Sequence, residues 1–139
     1  MMKKILLVLS TLLLLASCST SLTEKVEVAY PNGQPQKVRY YNRHDKCVKE
    51  TEYYESGQVK MEGGMKDGKM EGDWTAYFPD GRVQSTGTFK DGKRTGKATV
   101  WQANGNLLHE GFYKDGKHRG KWKYYDEQGN FLKEVDYGE

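Results

Sequence analysis

Short runs of alternating aromatic or β-branched and polar residues fill the chain from residue 51 onward. Each run is about eight residues long and is bounded by turns that contain glycine, such as Pro79-Asp80-Gly81 and Asp91-Gly92. Asp-Gly between two strand-like runs is a strong hairpin signal, because glycine readily adopts the positive φ angle of such turns. Residues 51–139 show no sustained helical periodicity. The pattern predicts an all-β fold, an antiparallel meander of repeated β-hairpins that forms one elongated twisted sheet.

The turns recur with a period of 24 residues. The first set of glycines in register is Gly57, Gly81, Gly105 and Gly129. Three copies of Lys-Asp-Gly-Lys keep the same period, at residues 66–69, 90–93 and 114–117. Residues 28–50 resemble a degenerate first repeat, with Arg43-His44-Asp45 in place of the Lys-Asp-Gly turn. Terminal copies of repeat arrays are commonly atypical. We therefore expect an array over 51–139 behind a degenerate repeat at 28–50.

Residues that occupy the same place in successive repeats are expected to stack as columns across the sheet. The predicted apolar columns are Val59, Val83, Leu107 and Phe131; Met65, Phe89, Tyr113 and Tyr137; and Trp74, Ala98 and Trp122. A glycine column at 63, 87 and 111 is predicted to leave room for neighbouring rings. These columns supply most of the available core, so the array should be modestly stable and dependent on contacts between repeats.

The N-terminal segment has the layout of a secretory signal. Lys3 and Lys4 precede an apolar run from Ile5 to Ala16, which is shorter than the roughly 20 residues of a membrane-spanning helix. We expect residues 1–17 to be a signal peptide, and residues 18–27 to be a short tether.

Leu15-Ala16-Ser17-Cys18 closely resembles the cleavage box of bacterial lipoproteins. The resemblance implies cleavage before Cys18 and acylation of this cysteine with fatty acids such as palmitate, which would attach the protein to a membrane. An ordinary signal peptide that happens to contain a cysteine is the alternative. Ser19, rather than aspartate, favours the outer membrane if the cell is Gram-negative. The expected location is therefore the bacterial cell envelope.

Charge and cysteine content argue against a nucleic-acid-binding protein and against a fold held by an internal disulfide. The net charge is +3, and Lys3 and Lys4 supply two of these charges, so the processed chain is nearly neutral and no nucleic-acid partner is expected. Lipidation of Cys18 would leave Cys47 as a single thiol, which excludes an internal disulfide. Cys47 is either a buried thiol or a partner for an intermolecular bond.

Units such as "KDGKMEGDWTAYFPDGRVQSTGTF" and "KDGKHRGKWKYYDEQGNFLKE" resemble MORN-type repeats of the bacterial variant. In this variant, Gly-x-Trp-x-x-Tyr-Tyr is followed by an Asn/Asp-Gly type of turn. The third unit departs from it, since Ala98 replaces the tryptophan. The resemblance implies hairpin repeats that bind or scaffold without chemistry of their own. Some bacterial relatives carry the label of antitoxin, and others a lipid-kinase label that this chain has no room or motifs to support.

The residues themselves give no signal for catalysis, a cofactor or a metal. The three histidines, His44, His109 and His118, lack metal-ligand spacing, and His109 is expected to be a surface strand residue. Asp67, Asp91 and Asp115 recur identically, which favours a role in turns over paired-carboxylate hydrolysis. We expect a protein that is not an enzyme.

Three binding functions fit the pattern. The first is recognition of an unknown envelope or secreted protein through exposed aromatic residues and an open sheet edge, with an antitoxin or immunity role as a special case. The alternatives are binding of cell-wall glycan and binding of phospholipid headgroups. Edge-to-edge self-association is a further possibility. The candidate binding residues are Trp74, Tyr77, Trp101, Trp122 and Tyr125.

Overall fold

The computed structural model describes residues 21–139, which form ten strands in one antiparallel sheet. The strands are β1 (Thr23–Ala29), β2 (Pro35–Tyr41), β3 (Cys47–Tyr53), β4 (Val59–Lys66), β5 (Lys69–Tyr77), β6 (Val83–Lys90), β7 (Lys93–Trp101), β8 (Leu107–Lys114), β9 (Lys117–Tyr125) and β10 (Phe131–Asp136). They pair strictly in chain order, which confirms the predicted all-β meander. The predicted signal peptide and Cys18 lie outside the described residues. Among residues 21–139, no helix is long and apolar enough to cross a membrane.

Two kinds of turn alternate along the meander and lie at opposite ends of the strands. The longer kind ends in a glycine with φ between 84° and 92°, whose N–H donates to the carbonyl three residues earlier, as Gly81 does to Phe78. The shorter kind is Asp-Gly with both residues at positive φ, which is the type I′ geometry. Asp67, Asp91 and Asp115 occupy its first central position, so these residues are turn residues, as the sequence indicates.

The degenerate first repeat keeps the hairpin but changes the turn. Between β2 and β3, the Asp45 N–H donates to the Asn42 carbonyl and closes a four-residue turn. Asp45 has a positive φ of 54°, at the position where the longer turns have glycine. Strand β1 begins at Thr23, so residues 23–27, which the sequence analysis assigned to the tether, are strand. Val26 and Val28 alternate there with charged residues, which is the pattern of an exposed edge strand.

Most of the apolar core lies along one row of side chains on one face of the sheet. Direct pairing across the strands gives the order Gly63, Trp74, Gly87, Ala98 and Gly111, so that large and absent side chains alternate. We call this side the core face. The buried apolar residues of this face are Met65, Trp74, Ala98 and Trp122, whereas the buried Val38 pairs with Thr51 on the opposite face.

The third predicted column is thus the main part of the core, whereas the first is not. Val83 and Phe131 of the first column are exposed, and so is Tyr137 of the second. A single sheet has no second layer to cover both ends of its strands, which is why aromatic or aliphatic identity alone did not predict burial.

Candidate functional site

Two tryptophans of the repeat are structural. The rings of Trp74 and Trp122 lie directly over Gly63 and Gly111 of the preceding strands, where a Cβ atom would overlap the indole. The indole N–H of Trp74 donates to the Gly64 carbonyl at 2.9 Å, and that of Trp122 donates to the equivalent Phe112 carbonyl at 3.0 Å. Only 4% of Trp74 and 1% of Trp122 is exposed. These rings connect neighbouring hairpins and leave little surface for a partner.

In the third unit, where Ala98 stands at the tryptophan position, the side chain of Arg94 occupies the space over the facing glycine. Ala98 faces Gly87, and the Arg94 guanidinium lies 3.1 Å from the position of a Cβ on that glycine. This guanidinium is 5.1 Å from the Phe89 ring centre and 5.5 Å from that of Tyr113. Such cation–π contacts stabilise by about 0.5–1 kcal/mol each at exposed sites. The aromatic column therefore continues through the centre of the array with a cation in one position.

At the N-terminal end, an ion-pair network occupies the same row. Glu50 stands in the tryptophan position and is only 6% exposed. Its carboxylate accepts a hydrogen bond from Arg39 Nε at 2.8 Å, and Lys37 Nζ lies 3.4 Å from Glu50 and 3.0 Å from Glu52. The hydrogen bond to Glu52, with the nearby charge of Glu50, raises the pKa of Lys37. The first repeat thus replaces an aromatic contact with a charged one.

At the C-terminal end, aromatic rings cluster on the core face. Trp122 lies 4.1 Å from His118 and 5.0 Å from Tyr113 between ring centres, and His109 lies 5.8 Å away on its other side. Burial lowers the pKa of His109, and the charges of His118 and Arg94 lower it further. The half-buried ring of His109 therefore favours its neutral form. Sequence reasoning placed this residue at the surface, and the structure packs it against Trp122.

The opposite side of the sheet, which we call the threonine face, carries Thr51, Thr75, Thr86 and Thr99 along a central row. It also carries Tyr77, Trp101 and Tyr125, all half-buried. The Tyr77 hydroxyl donates to Glu62 at 3.2 Å, and the Tyr125 hydroxyl donates to Glu110 at 3.5 Å. Burial and the Glu62 carboxylate raise the pKa of Tyr77. The five candidate binding residues are therefore divided between two faces.

An open groove lies in the middle of the threonine face, across β5 to β8. Its volume is about 630 Å³. The side chains on this face that line it are Asp73, Thr75, Thr86, Thr88, Lys97, Thr99, Trp101, Leu107 and Glu110. Lys97 Nζ lies 3.2 Å from Glu110, and the Thr88 hydroxyl donates to Asp73 at 2.9 Å. Of the predicted residues, Trp74 and Trp101 border this groove, and Trp101 is the one whose side chain lies on the threonine face. The groove could have been located from the sequence, because Asp73, Thr86 and Trp101 replace the lysine, glutamate and tyrosine of the other repeats.

Exposed apolar side chains lie at both ends of the sheet, with Leu22, Val26 and Val28 at the β1 end and the most exposed ones at the β10 end. Phe112 is 52% exposed, Phe131 57%, Leu132 60% and Tyr137 45%. Phe131 and Leu132 belong to β10, whose outer edge pairs with no other strand within residues 21–139. Backbone donors and acceptors at such an edge are available to a further strand.

The described residues contain no group of three or more His, Cys, Asp or Glu side chains arranged to hold a metal ion. Cys47 is half-buried, with its sulfur 3.5 Å from the Lys49 carbonyl oxygen. The arrangement is suited to contact through aromatic, hydroxyl and backbone groups.

Comparison with known proteins gives one family. The MORN repeat variant matches three tandem segments, residues 46–67, 70–91 and 94–115. Each segment covers 22 residues of one 24-residue repeat and ends at the aspartate of an Asp-Gly turn. No curated protein sequence matches the chain. MORN repeats are generally non-catalytic and suggest a module that binds protein or membrane. The consecutive hairpins of residues 46–115 are thus a tandem array of MORN-type repeats.

Proposed function

We propose that this chain is a lipid-anchored bacterial envelope protein whose repeat array binds a partner protein without catalysing a reaction. The observation that carries the proposal is that the apolar side chains beside the open edge of β10, Phe131 and Leu132, are larger and more exposed than Val26 and Val28 beside the open edge of β1. An exposed apolar surface next to unpaired backbone groups supports two binding modes at once, hot-spot burial and strand addition.

The C-terminal end has the composition of a binding surface. Phe131 and Leu132 are the most exposed large apolar side chains, and the Tyr125 ring contacts Phe131 edge-on at 6.0 Å. On the other face, Tyr137 bonds to Tyr124 through their hydroxyls at 3.1 Å, which raises the pKa of Tyr124 to about 12. Aromatic side chains with a polar tip are enriched at protein interfaces. An envelope or secreted protein, including a toxin that the array would neutralise, fits this surface.

The anchor follows from Leu15-Ala16-Ser17-Cys18. Acyl chains on Cys18 would hold the array at a membrane surface, the outer membrane if the cell is Gram-negative, because each buried CH₂ contributes about 0.8 kcal/mol. Metabolic labelling with a clickable palmitate analogue, followed by mass spectrometry of the N-terminal peptide, tests this. Labelled Cys18 as the first residue supports the anchor. An unlabelled chain that begins elsewhere refutes it.

Partner binding is tested with matched edge variants. Phe131→Ser with Leu132→Ser removes the exposed apolar pair on β10, and Val26→Ser with Val28→Ser makes an equivalent change on β1 at the other edge. Immobilised wild type and both variants are incubated with solubilised envelope from the source organism. A protein retained by the wild type and the β1 variant, but lost from a folded β10 variant, supports the proposal. Equal retention by all three would refute the assignment to this end.

One observation favours contact with phospholipid headgroups as a second candidate. The short turns all lie at one end of the strands, and their six lysines, at positions 66, 69, 90, 93, 114 and 117, are all exposed. Each turn also carries an aspartate, which offsets part of this charge. Sedimentation of the Cys18→Ser chain with vesicles that contain anionic lipid would support this candidate if charge reversal at the three turns abolished it.

A further inference from the structure

We propose that the central groove of the threonine face binds a neutral saccharide chain. This site is separate from the β10 end, since it is formed by β5 to β8 and includes none of the exposed apolar residues of the last strands. It therefore adds a ligand to the protein-binding function and does not depend on it.

The groove exists because one unit departs from the repeat at several positions that lie together. Position 86 is threonine, whereas the equivalent positions 62, 110 and 134 are glutamate. Position 101 is tryptophan, whereas positions 53, 77 and 125 are tyrosine. In the neighbouring units a tyrosine hydroxyl donates to the glutamate across the face. Thr86 and Trp101 cannot form this bond, so the face stays open between them.

A third departure changes the charge of the groove. Asp73 replaces the lysine found at positions 49, 97 and 121, and it accepts a hydrogen bond from Thr88. In the other units this lysine pairs with the glutamate, as Lys49 pairs with Glu62 and Lys97 with Glu110. The central groove therefore has two carboxylates and one ammonium group, and a phosphate or another anion is disfavoured.

The lining matches the chemistry of a polyhydroxylated ligand. The three threonine hydroxyls of the central row, the carboxylates of Asp73 and Glu110 and the ammonium of Lys97 offer both donors and acceptors. Carboxylates form the strongest hydrogen bonds to hydroxyl donors. Only Trp101 and Leu107 are large apolar lining residues on this face, which is too little for an apolar peptide.

Trp101 supplies the platform for a sugar ring. It is half-buried, unlike the other two tryptophans, and its indole N–H has no hydrogen-bond acceptor within residues 21–139, whereas Trp74 and Trp122 each have one. The volume of about 630 Å³ lies within the range of about 300–1,000 Å³ that is usual for small-ligand sites. An indole face at one end and hydroxyl and carboxylate groups along the floor would orient a short oligosaccharide across the strands.

The test uses the full chain, purified in a detergent that carries no sugar, and three neutral probes: cellotetraose, maltotetraose and fully N-acetylated chitotetraose. Binding is measured by titration calorimetry and by saturation-transfer NMR, which reports the ligand protons that contact the protein. We expect saturable binding of at least one probe with a dissociation constant of about 1 mM or tighter.

The decisive variant carries Asp73→Lys, Thr86→Glu and Trp101→Tyr, which gives the central unit the residues of its neighbours at all three positions and lets it close with the same ion pair and hydrogen bond. It should fold like the wild type by circular dichroism and bind the probe at least tenfold more weakly. Tyr53→Trp, which adds an indole to the same face away from the groove, should change nothing. The absence of saturable binding to all three probes, or equal affinity in the closed variant, would overturn the proposal.

Discussion

At the residue scale, the pairing of glycine with tryptophan explains how a single sheet makes a core. Gly63 and Gly111 carry no side chain, so the Trp74 and Trp122 rings pack flat on the neighbouring strand and satisfy their N–H groups there. The glycine column could be predicted from its period. The substitution of Arg94 for a ring could not, because this arginine lies four positions from the alanine that it compensates.

Alanine at Gly111 should destabilise the array strongly, whereas alanine at Gly87 should be tolerated. A Cβ at 111 would overlap the Trp122 ring, and overpacking of this kind costs about 1–3 kcal/mol. At 87 the nearest atom belongs to the mobile end of Arg94, at 3.1 Å, so the expected cost is below about 1 kcal/mol. Urea unfolding of the two variants checks this. Equal losses of stability would show that the indole is not the obstacle.

His109 should make stability fall as the pH is lowered from about 7.5 through the ordinary range of histidine pKa values. Its pKa is lowered in the folded state by burial, so the unfolded chain binds the proton first as the pH falls. The stability contributed by the neutral ring is present above the unfolded pKa, and it is lost as the pH falls towards and through the folded one. The melting temperature of the wild type should therefore drop more over this range than that of His109→Gln. Parallel curves would exclude His109 as the group responsible.

At the element scale, the hairpins were predictable and the faces of the strands were not. Turn residues with a 24-residue period gave the strands, their order and the Asp-Gly turns. One face buries its aromatic side chains because tryptophan packs on glycine in alternate strands. Single differences from the repeat, such as Ala98 in place of tryptophan and Thr86 in place of glutamate, change this burial locally. For that reason the sequence predicts binding by Trp74 and Trp122 as well as Trp101, although the first two lie on the other face and are buried. Binding through the named residues stays a prediction.

A double-mutant cycle tests whether the side chains at positions 94 and 98 compete for the same space over Gly87. Ala98→Trp alone should destabilise the protein, because the new ring would meet the Arg94 guanidinium over Gly87. Arg94→Ala alone should cost about 1 kcal/mol through the lost cation–π contacts. The double variant restores the tryptophan-on-glycine arrangement and should be more stable than the sum of the single changes predicts. Additive effects would contradict a shared place.

At the scale of the whole molecule, every strand contacts mainly its immediate neighbours in chain order. Such arrays gain stability from nearest-neighbour interfaces and lose it at the ends. Hydrogen exchange should therefore be slowest in β5 to β8 and fastest in β1 and β10, which each pair with one strand within residues 21–139. Mass spectrometry of exchanged peptides measures this. Equal protection of all ten strands would contradict the nearest-neighbour description.

The same linear arrangement separates the proposed functions in space. The acylated N-terminus would lie beyond β1, the groove spans the middle strands, and the exposed apolar surface lies at β10. A partner at β10 would thus be as far from the proposed anchor as the array permits, which would suit a module that presents a binding surface away from a membrane.

In-cell photo-crosslinking tests the central claim, that the β10 end binds a partner protein. A photoreactive amino acid is placed at Leu132 or, as the matched control, at Val28 on the other edge, since both positions are exposed. We predict that residue 132 crosslinks to one defined envelope or secreted protein, that residue 28 does not, and that Phe131→Ser weakens the crosslink. Crosslinks to the same protein from both edges, or none from residue 132, would contradict the account.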